Sequence, residues 1–232
     1  MPERPRAVMI FAAGFGKRMG AAGRLRPKPL FELAGRSLLS RALAEARAIE
    51  PERIVVNAHY RAEMIVAHLH GEAGVTVAHE YPRALETGGG LRAARALLPA
   101  GPVATLNPDG LWRGPPTLPL LGAAWRQGEM GALLLLAPLA AARGHRGAGD
   151  FSMDPAGRLS RGGSLVYTGA QIIDPAAVEG FGPGPFSLNL AWNALAARGR
   201  LFGAVYPGAW ADTGHPAGLA AAAALLEAGP DD

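Results

Sequence analysis

The chain has 232 residues, 49% hydrophobic and 18% charged, enough apolar material for one sizeable core. It has no cysteine, which excludes a disulfide scaffold, a thiolate nucleophile and any cysteine-ligated metal or iron–sulfur centre. The net charge is only +4, no basic run reaches five residues, and aromatics do not interleave with arginines as a nucleic-acid groove requires.

The first six residues are short, polar and proline-broken, without signal-peptide architecture. Residues 7–12 form an apolar run ending in glycines, the pattern of a buried parallel strand. Residues 37–49 are helical, with Leu38, Leu39, Ala42, Leu43 and Ala46 on one face and Ser37 as cap. Strands at 53–57 and 75–79 flank a helix at 61–70. A helix at 90–98, a strand at 103–106, a helix at 118–127 and a strand at 132–137 follow. This repeated order predicts an α/β fold, a Rossmann-like doubly wound, mostly parallel sheet with helices on both faces. The most apolar stretch, 132–142, holds Pro138 and falls short of the roughly 20 residues of a membrane span. Beyond residue 140 glycine-rich turns separate short strands near 151–153 and 165–173, a small β-rich insertion over the sheet's active edge. A helix at 188–198, a strand at 201–205 and a closing helix at 216–228 complete one domain, with Asp231 and Asp232 as an acidic tail. Within that domain residues 1–140 form the core and 141–215 the inserted part. These features predict a cytoplasmic protein with no membrane and no nucleic-acid partner, a monomer or small homo-oligomer.

Of the 23 basic residues only two, Lys17 and Lys28, are lysines. A chain that uses arginine so freely retains lysine where a compact charge on a flexible stem is needed. Both fall in notable segments. Phe11-Ala12-Ala13-Gly14-Phe15-Gly16-Lys17-Arg18-Met19-Gly20 follows the first strand, where α/β sheets bind ligands. It is neither a P-loop nor a dinucleotide fingerprint, because the glycine spacing fails and Met19 stands where a small residue is required. Glycines admit backbone N–H groups close to phosphate, and Lys17 and Arg18 supply charge beside them. Lys28 lies in Pro27-Lys28-Pro29-Leu30, where the prolines predict a stiff, strand-like segment that aims the ammonium. Asp109 follows a predicted strand and Asp212 follows Trp210, so both stand at strand ends from which carboxylates converge.

The glycine loop followed by Pro-Lys-Pro-Leu resembles the sugar-1-phosphate nucleotidylyltransferases, with their nucleotide-diphospho-sugar transferase fold. The resemblance extends to Leu85-Glu86-Thr87-Gly88-Gly89-Gly90, Leu106-Asn107-Pro108-Asp109, the stretch from Gly144 through His145 to Asp150, Tyr167-Thr168-Gly169 and Trp210-Ala211-Asp212-Thr213-Gly214. It implies attack of a sugar 1-phosphate on the α-phosphorus of a nucleoside triphosphate, with release of pyrophosphate. The pair implied is UTP with N-acetylmuramate 1-phosphate. GTP with mannose 1-phosphate, or a catalytically silent nucleotide- or sugar-binding regulator, stands as the alternative.

The same resemblance assigns roles. Arg18 and Lys28 would be catalytic. Ala12, Ala13, Gly14, Gly16, Lys17, Glu86, Thr87, Gly88 and Asn107 would bind the nucleotide. Asp150, Thr168, Gly169 and Asn189 would face the sugar phosphate, and Asp109 and Asp212 would hold Mg²⁺. Trp112, Trp125 and Trp192 read as packing residues. Residues 20–26 and His215 depart from the family's pattern, and the Glu-Lys-Pro motif of the larger hexose-1-phosphate enzymes is absent.

Overall fold

Alternating apolar strands and amphipathic helices wind around one central sheet in the computed structural model, which describes residues 4–228; Asp231 and Asp232 lie outside them. The chain runs β1 (Ala7–Phe11), α1 (Gly20–Gly23), β2 (Glu32–Leu33), β3 (Arg36–Ser37), α2 (Leu38–Arg47), β4 (Arg53–Ala58), α3 (Ala62–His68), β5 (Val75–His79), α4 (Glu86–Ala93), β6 (Val103–Leu106) and β7 (Gly110–Arg113). It continues through α5 (Thr117–Ala124), β8 (Ala132–Pro138), β9 (Ala142–Arg143), β10 (Phe151–Met153), β11 (Leu159–Arg161), β12 (Leu165–Ile173), α6 (Leu188–Ala196), β13 (Leu201–Val205), β14 (Ala209–Asp212) and α7 (Pro216–Glu227).

The main sheet has the order β13-β8-β12-β6-β1-β4-β5. All neighbours are parallel except β12, which lies antiparallel between β8 and β6. Side chains alternate between the two faces, as the period of a strand requires. Val8, Ile10, Ile54, Val56, Leu133 and Leu135 pack under α2, α3 and α5. Met9, Val55, Leu134 and Leu136 pack under α4 and α6. Helices cover both faces, so the doubly wound, mostly parallel sheet is present. Ser37 caps α2, its Oγ accepting from Ser40 N at 3.0 Å.

Three expectations change. The helix expected at 90–98 begins at Glu86, carries Gly88, Gly89 and Gly90 inside it, and tightens to a 3₁₀ turn over Ala94–Leu97. Packing overrides the low helix propensity of glycine here. An added Cβ at Gly88 would lie 2.3 Å from the Phe186 ring, and one at Gly89 2.5 Å from the Gly184 carbonyl. Lys28 is not in a strand-like segment: Pro27 is extended, but Lys28–Leu30 is a single 3₁₀ turn. Pro29 fits its start, where no backbone donor is needed. Finally, the longest strand of the inserted part, β12, belongs to the central sheet, while β10 and β11 extend from its outer end. A separate three-stranded sheet, β7-β14-β9, stands above the sheet's edge and packs against α7 through Leu111, Ala211 and Leu225.

Candidate active site

The carboxyl ends of β1, β4 and β6 open onto a cavity of about 470 Å³. Ala13, Gly14, Lys17, Lys28, Glu86, Thr87, Asn107 and Asp109, all singled out in the sequence, line it. A second cavity, of about 170 Å³, lies beside it under β12 and β14. Arg18, Asp150, Thr168, Gly169 and Asp212 line that one, together with His145. Asn107 and Asp109 line both, so the two spaces share a wall.

Short pairings build that wall. Asp109 stands three residues beyond the end of β6 and directly before β7, and β7 pairs antiparallel with β14 so that Gly110 stands opposite Asp212. Thr213 fastens the two turns, its N and Oγ1 both donating to the Asp109 carbonyl at 2.8 and 2.9 Å. Asp212 Oδ1 accepts from Gly214 N at 2.7 Å, which leaves Oδ2 for another partner. A bulge in β12 between Tyr167 and Gln171 lifts Thr168 and Gly169 out of register with β8. Gly169 has φ +95°, and its carbonyl accepts from Asn107 N at 2.7 Å; an added Cβ would meet Asn107 Cβ at 3.0 Å. Glycine is required at that point by conformation and by space.

Charge gathers at the junction. Lys28 Nζ donates to Asp109 Oδ2. Arg18 lies 3.6 Å from Asp109 Oδ2 through Nη2 and 3.9 Å from Asp212 Oδ2 through Nη1. Lys28, Asp109 and Asp212 are largely enclosed, whereas Arg18 is 62% exposed. Burial pushes the Asp109 carboxyl up, but the Lys28 ammonium against it and the Arg18 guanidinium beyond hold it below the ordinary carboxylate range. Asp109 is therefore ionised at neutral pH. Burial raises the Tyr167 phenol well above its ordinary range, so the tyrosine beside the smaller cavity stays neutral.

Four predicted residues stand elsewhere. Ala12 is fully buried and donates its N–H to Asn57 Oδ1 at 2.7 Å. Gly88 lies within α4, its N–H on the Phe186 carbonyl. Asn189 faces solvent at the start of α6, accepting from Arg161 at 2.8 Å and donating to Ser187, and lines neither cavity. Gly16 lines a neighbouring cleft with Arg18, Lys28 and Gly214. Its φ is +62°, and an added Cβ would press on Lys28 at 3.2 Å, so it also seats the lysine.

Sequence reasoning missed Phe15, Asn57 and Pro185 on the larger cavity, and Tyr167 and Trp210 on the smaller. Asn57 carried a signal, a lone polar residue near the end of the apolar strand β4. Trp112, Trp125 and Trp192 pack as expected, with Trp192 Nε1 donating to Gln171 at 3.0 Å. The two departures also have places. His215 caps α7, its Nδ1 accepting from Gly218 N at 3.1 Å, while Nε2 bonds the Gly144 carbonyl at 2.8 Å. Segment 20–26 contains α1 and is tethered where Tyr60 and Arg61 donate to the Arg24 carbonyl.

The arrangement can neutralise and position phosphates, and it can offer two carboxylates to a hard cation. Among the described residues no cluster of three or more His, Cys, Asp or Glu could hold a metal by itself, and no helix is long and apolar enough to cross a membrane. Similarities to known proteins agree with this chemistry. The N-acetylmuramate alpha-1-phosphate uridylyltransferase of Caulobacter vibrioides is 38% identical over 98% of this chain and 100% of its own length. The enzyme of the same name from Neisseria meningitidis is 31% identical over 95% and 98%. A UDP-glucose pyrophosphorylase solved with UDP-glucose shares the fold, with a TM-score of 0.79 at 16% identity, covering 96% of this chain and 98% of that one. The model of the MobA-like NTP transferase domain matches residues 8–228, and this chain belongs to that family.

Proposed function

We propose that the protein joins UTP to N-acetylmuramate α-1-phosphate, giving the UDP-sugar and pyrophosphate. The observation that carries this reading is the shared wall: two cavities of unequal size meet at Asn107 and Asp109, with cations on both sides. A nucleotide in the larger space and a sugar phosphate in the smaller would bring their phosphates together there. The names and full-length coverage of the relatives support the choice of base and sugar.

A phosphate oxygen of the sugar 1-phosphate attacks the α-phosphorus, a new O–P bond forms, and the bond to the β-phosphate oxygen breaks. That nucleophile is already anionic near neutral pH, since the second pKa of a phosphate monoester is about 6, so no general base is required. Catalysis is then positioning and charge neutralisation. Gly14 brings backbone close to the nucleotide, Lys28 neutralises the reacting phosphates from the enclosed side, and Arg18 reaches the departing pyrophosphate from its exposed position. Glu86 and Thr87 form the opposite wall, beside the base and ribose. Asp150, Thr168 and Gly169 surround the sugar phosphate.

Asp109 and Asp212 would hold Mg²⁺. The donor set fits a hard cation that takes one or two carboxylates and completes its shell with phosphate oxygens and water. Such an ion, when bound, supplies further neutralisation of phosphate charge. Pyrophosphate release tests the reading, assayed with UTP and GTP against N-acetylmuramate 1-phosphate and mannose 1-phosphate. Release is expected to be fastest for UTP with N-acetylmuramate 1-phosphate. A preference for GTP with mannose 1-phosphate would overturn the substrate assignment, and no release from any pair would overturn the enzymatic one.

A further inference from the structure

Behind the larger cavity lies a polar chain that none of the roles above uses. Glu80, which follows β5, is only 4% exposed, and its carboxylate forms no ion pair among the described residues. Its Oε1 accepts from Asn57 Nδ2 at 2.7 Å and its Oε2 from Leu85 N at 2.7 Å. Asn57 Oδ1 accepts in turn from Ala12 N, also at 2.7 Å. Three short bonds thus run from the end of β1, through β4, to the residue that opens α4. Burying a carboxylate without a cation carries a heavy desolvation cost, and apolar side chains of similar size would pack there more favourably. Apolar side chains, however, would not fix the position of a backbone N–H.

What these bonds fix is the cavity. Ala12 directly precedes Ala13 and Gly14 on one wall, Leu85 directly precedes Glu86 and Thr87 on the other, and Asn57 lines the space between. Glu86 has φ +59°, a left-handed conformation uncommon for a side chain other than glycine or asparagine, which persists only where its surroundings enforce it. The bond to Leu85 N is made one residue before that turn. Gly90 closes the chain from behind: an added Cβ would lie 2.7 Å from Glu80 Oε1 and 2.9 Å from Asn57 Nδ2. The last of the three glycines at the start of α4 therefore accommodates this bridge rather than a ligand.

We infer that Glu80 and Asn57 are positioning residues that set the separation of the two walls of the nucleotide cavity, and through it the discrimination between a pyrimidine and a purine nucleotide. The inference rests on the proposed nucleotide role of that cavity. Its test is direct binding of UTP and GTP, by calorimetry, to the full chain and to Glu80→Gln and Gly90→Ala. The amide of Glu80→Gln can accept only one of the two donors and turns an N–H₂ towards the other. Gly90→Ala touches no ligand, and alanine favours the helix it sits in, so this variant keeps the test decisive should Glu80→Gln not fold.

Both variants are expected to bind UTP at least tenfold more weakly, and the UTP-to-GTP affinity ratio is expected to shrink. The KM for the sugar phosphate should stay within twofold of that of the unaltered protein. Folded variants that lose thermal stability but keep the UTP affinity and the affinity ratio would show the bridge to be merely structural, and would overturn the inference. An equal rise in the KM for the sugar phosphate would overturn it too. Failure of the unaltered protein to bind either nucleotide would instead overturn the nucleotide reading of the cavity.

Discussion

In the proposed reaction Lys28 faces two demands, neutralising Asp109 in the free protein and facing phosphate when ligands arrive. A flexible stem ending in a compact ammonium serves both, whereas a guanidinium is wider and needs in-plane partners. Lys28→Ala is expected to lower the rate of pyrophosphate release by about 10²–10³, the range for loss of one preorganised electrostatic donor, while circular dichroism shows a folded chain. Lys28→Arg should not restore the rate; if it does, charge alone suffices and the geometric part of the role is wrong.

Asp109 makes a prediction in pH. Its folded-state pKa is depressed by Lys28 and Arg18, so the unfolded chain binds its proton more readily. The resulting stabilisation is complete above the ordinary carboxylate pKa, about 3.9, and is lost as pH falls through the lower folded value. Denaturant titrations of the unaltered protein and Asp109→Asn should show a stability difference at pH 6 that shrinks steadily below about pH 4. A difference independent of pH would contradict the assignment of Asp109 as the ionised partner of Lys28.

At the scale of elements, pairing and capping place the charged groups. The β7–β14 register brings Asp109 and Asp212 together although about a hundred residues separate them. His215, which ends the turn after β14, secures α7 and the Gly144 carbonyl at once. His215→Ala should cost about 1 kcal/mol in chemical denaturation, the usual cost of a lost helix cap, and His215→Asn should recover part of it by keeping a side-chain acceptor. Equal stability of all three proteins would rule out the capping role.

The long periodic elements were legible in the sequence. The strands at 75–79, 103–106 and 201–205 have the expected bounds, because apolar runs between turn residues leave little choice. β7 and β14 were not legible. Gly-Leu-Trp-Arg and Ala-Trp-Ala-Asp are not continuous apolar runs, and the Pro-Asp-Gly that leads into β7 reads as a turn. The start of α4 was hidden for another reason, since its three glycines oppose a helix locally and only contacts with Phe186, Gly184 and Glu80 make them fit. Among the residues that line the cavities, those in phosphate-type motifs stand out in the sequence, because charge and glycine spacing are visible along the chain. Phe15, Tyr167 and Trp210 were not chosen, since a ring that lines a cavity looks in sequence like one that fills a core.

Across the whole molecule, the two cavities lie side by side over neighbouring strands of one sheet. Parallel strands β1, β4 and β6 end beneath the larger cavity, and antiparallel β12 with its bulge forms the floor of the smaller. Substitutions should then separate kinetically. Asp150 lines only the smaller cavity and accepts from Tyr167 N at 2.9 Å. Asp150→Asn is expected to raise the KM for the sugar phosphate about tenfold, roughly 1.4 kcal/mol, and to leave the KM for UTP unchanged. Equal changes in both would mean that the cavities do not act as separate subsites.

In the proposed reaction both cavities form one site joined at Asn107 and Asp109. A crystal structure with the product, UDP-N-acetylmuramate, and Mg²⁺ measures this directly. The uridine is expected between the Gly14 loop and Glu86–Thr87, the sugar beside Asp150 and Gly169, and the diphosphate crossing the shared wall within reach of Lys28. A product bound wholly within one cavity, or with its diphosphate turned away from Asp109 and Asp212, would contradict it.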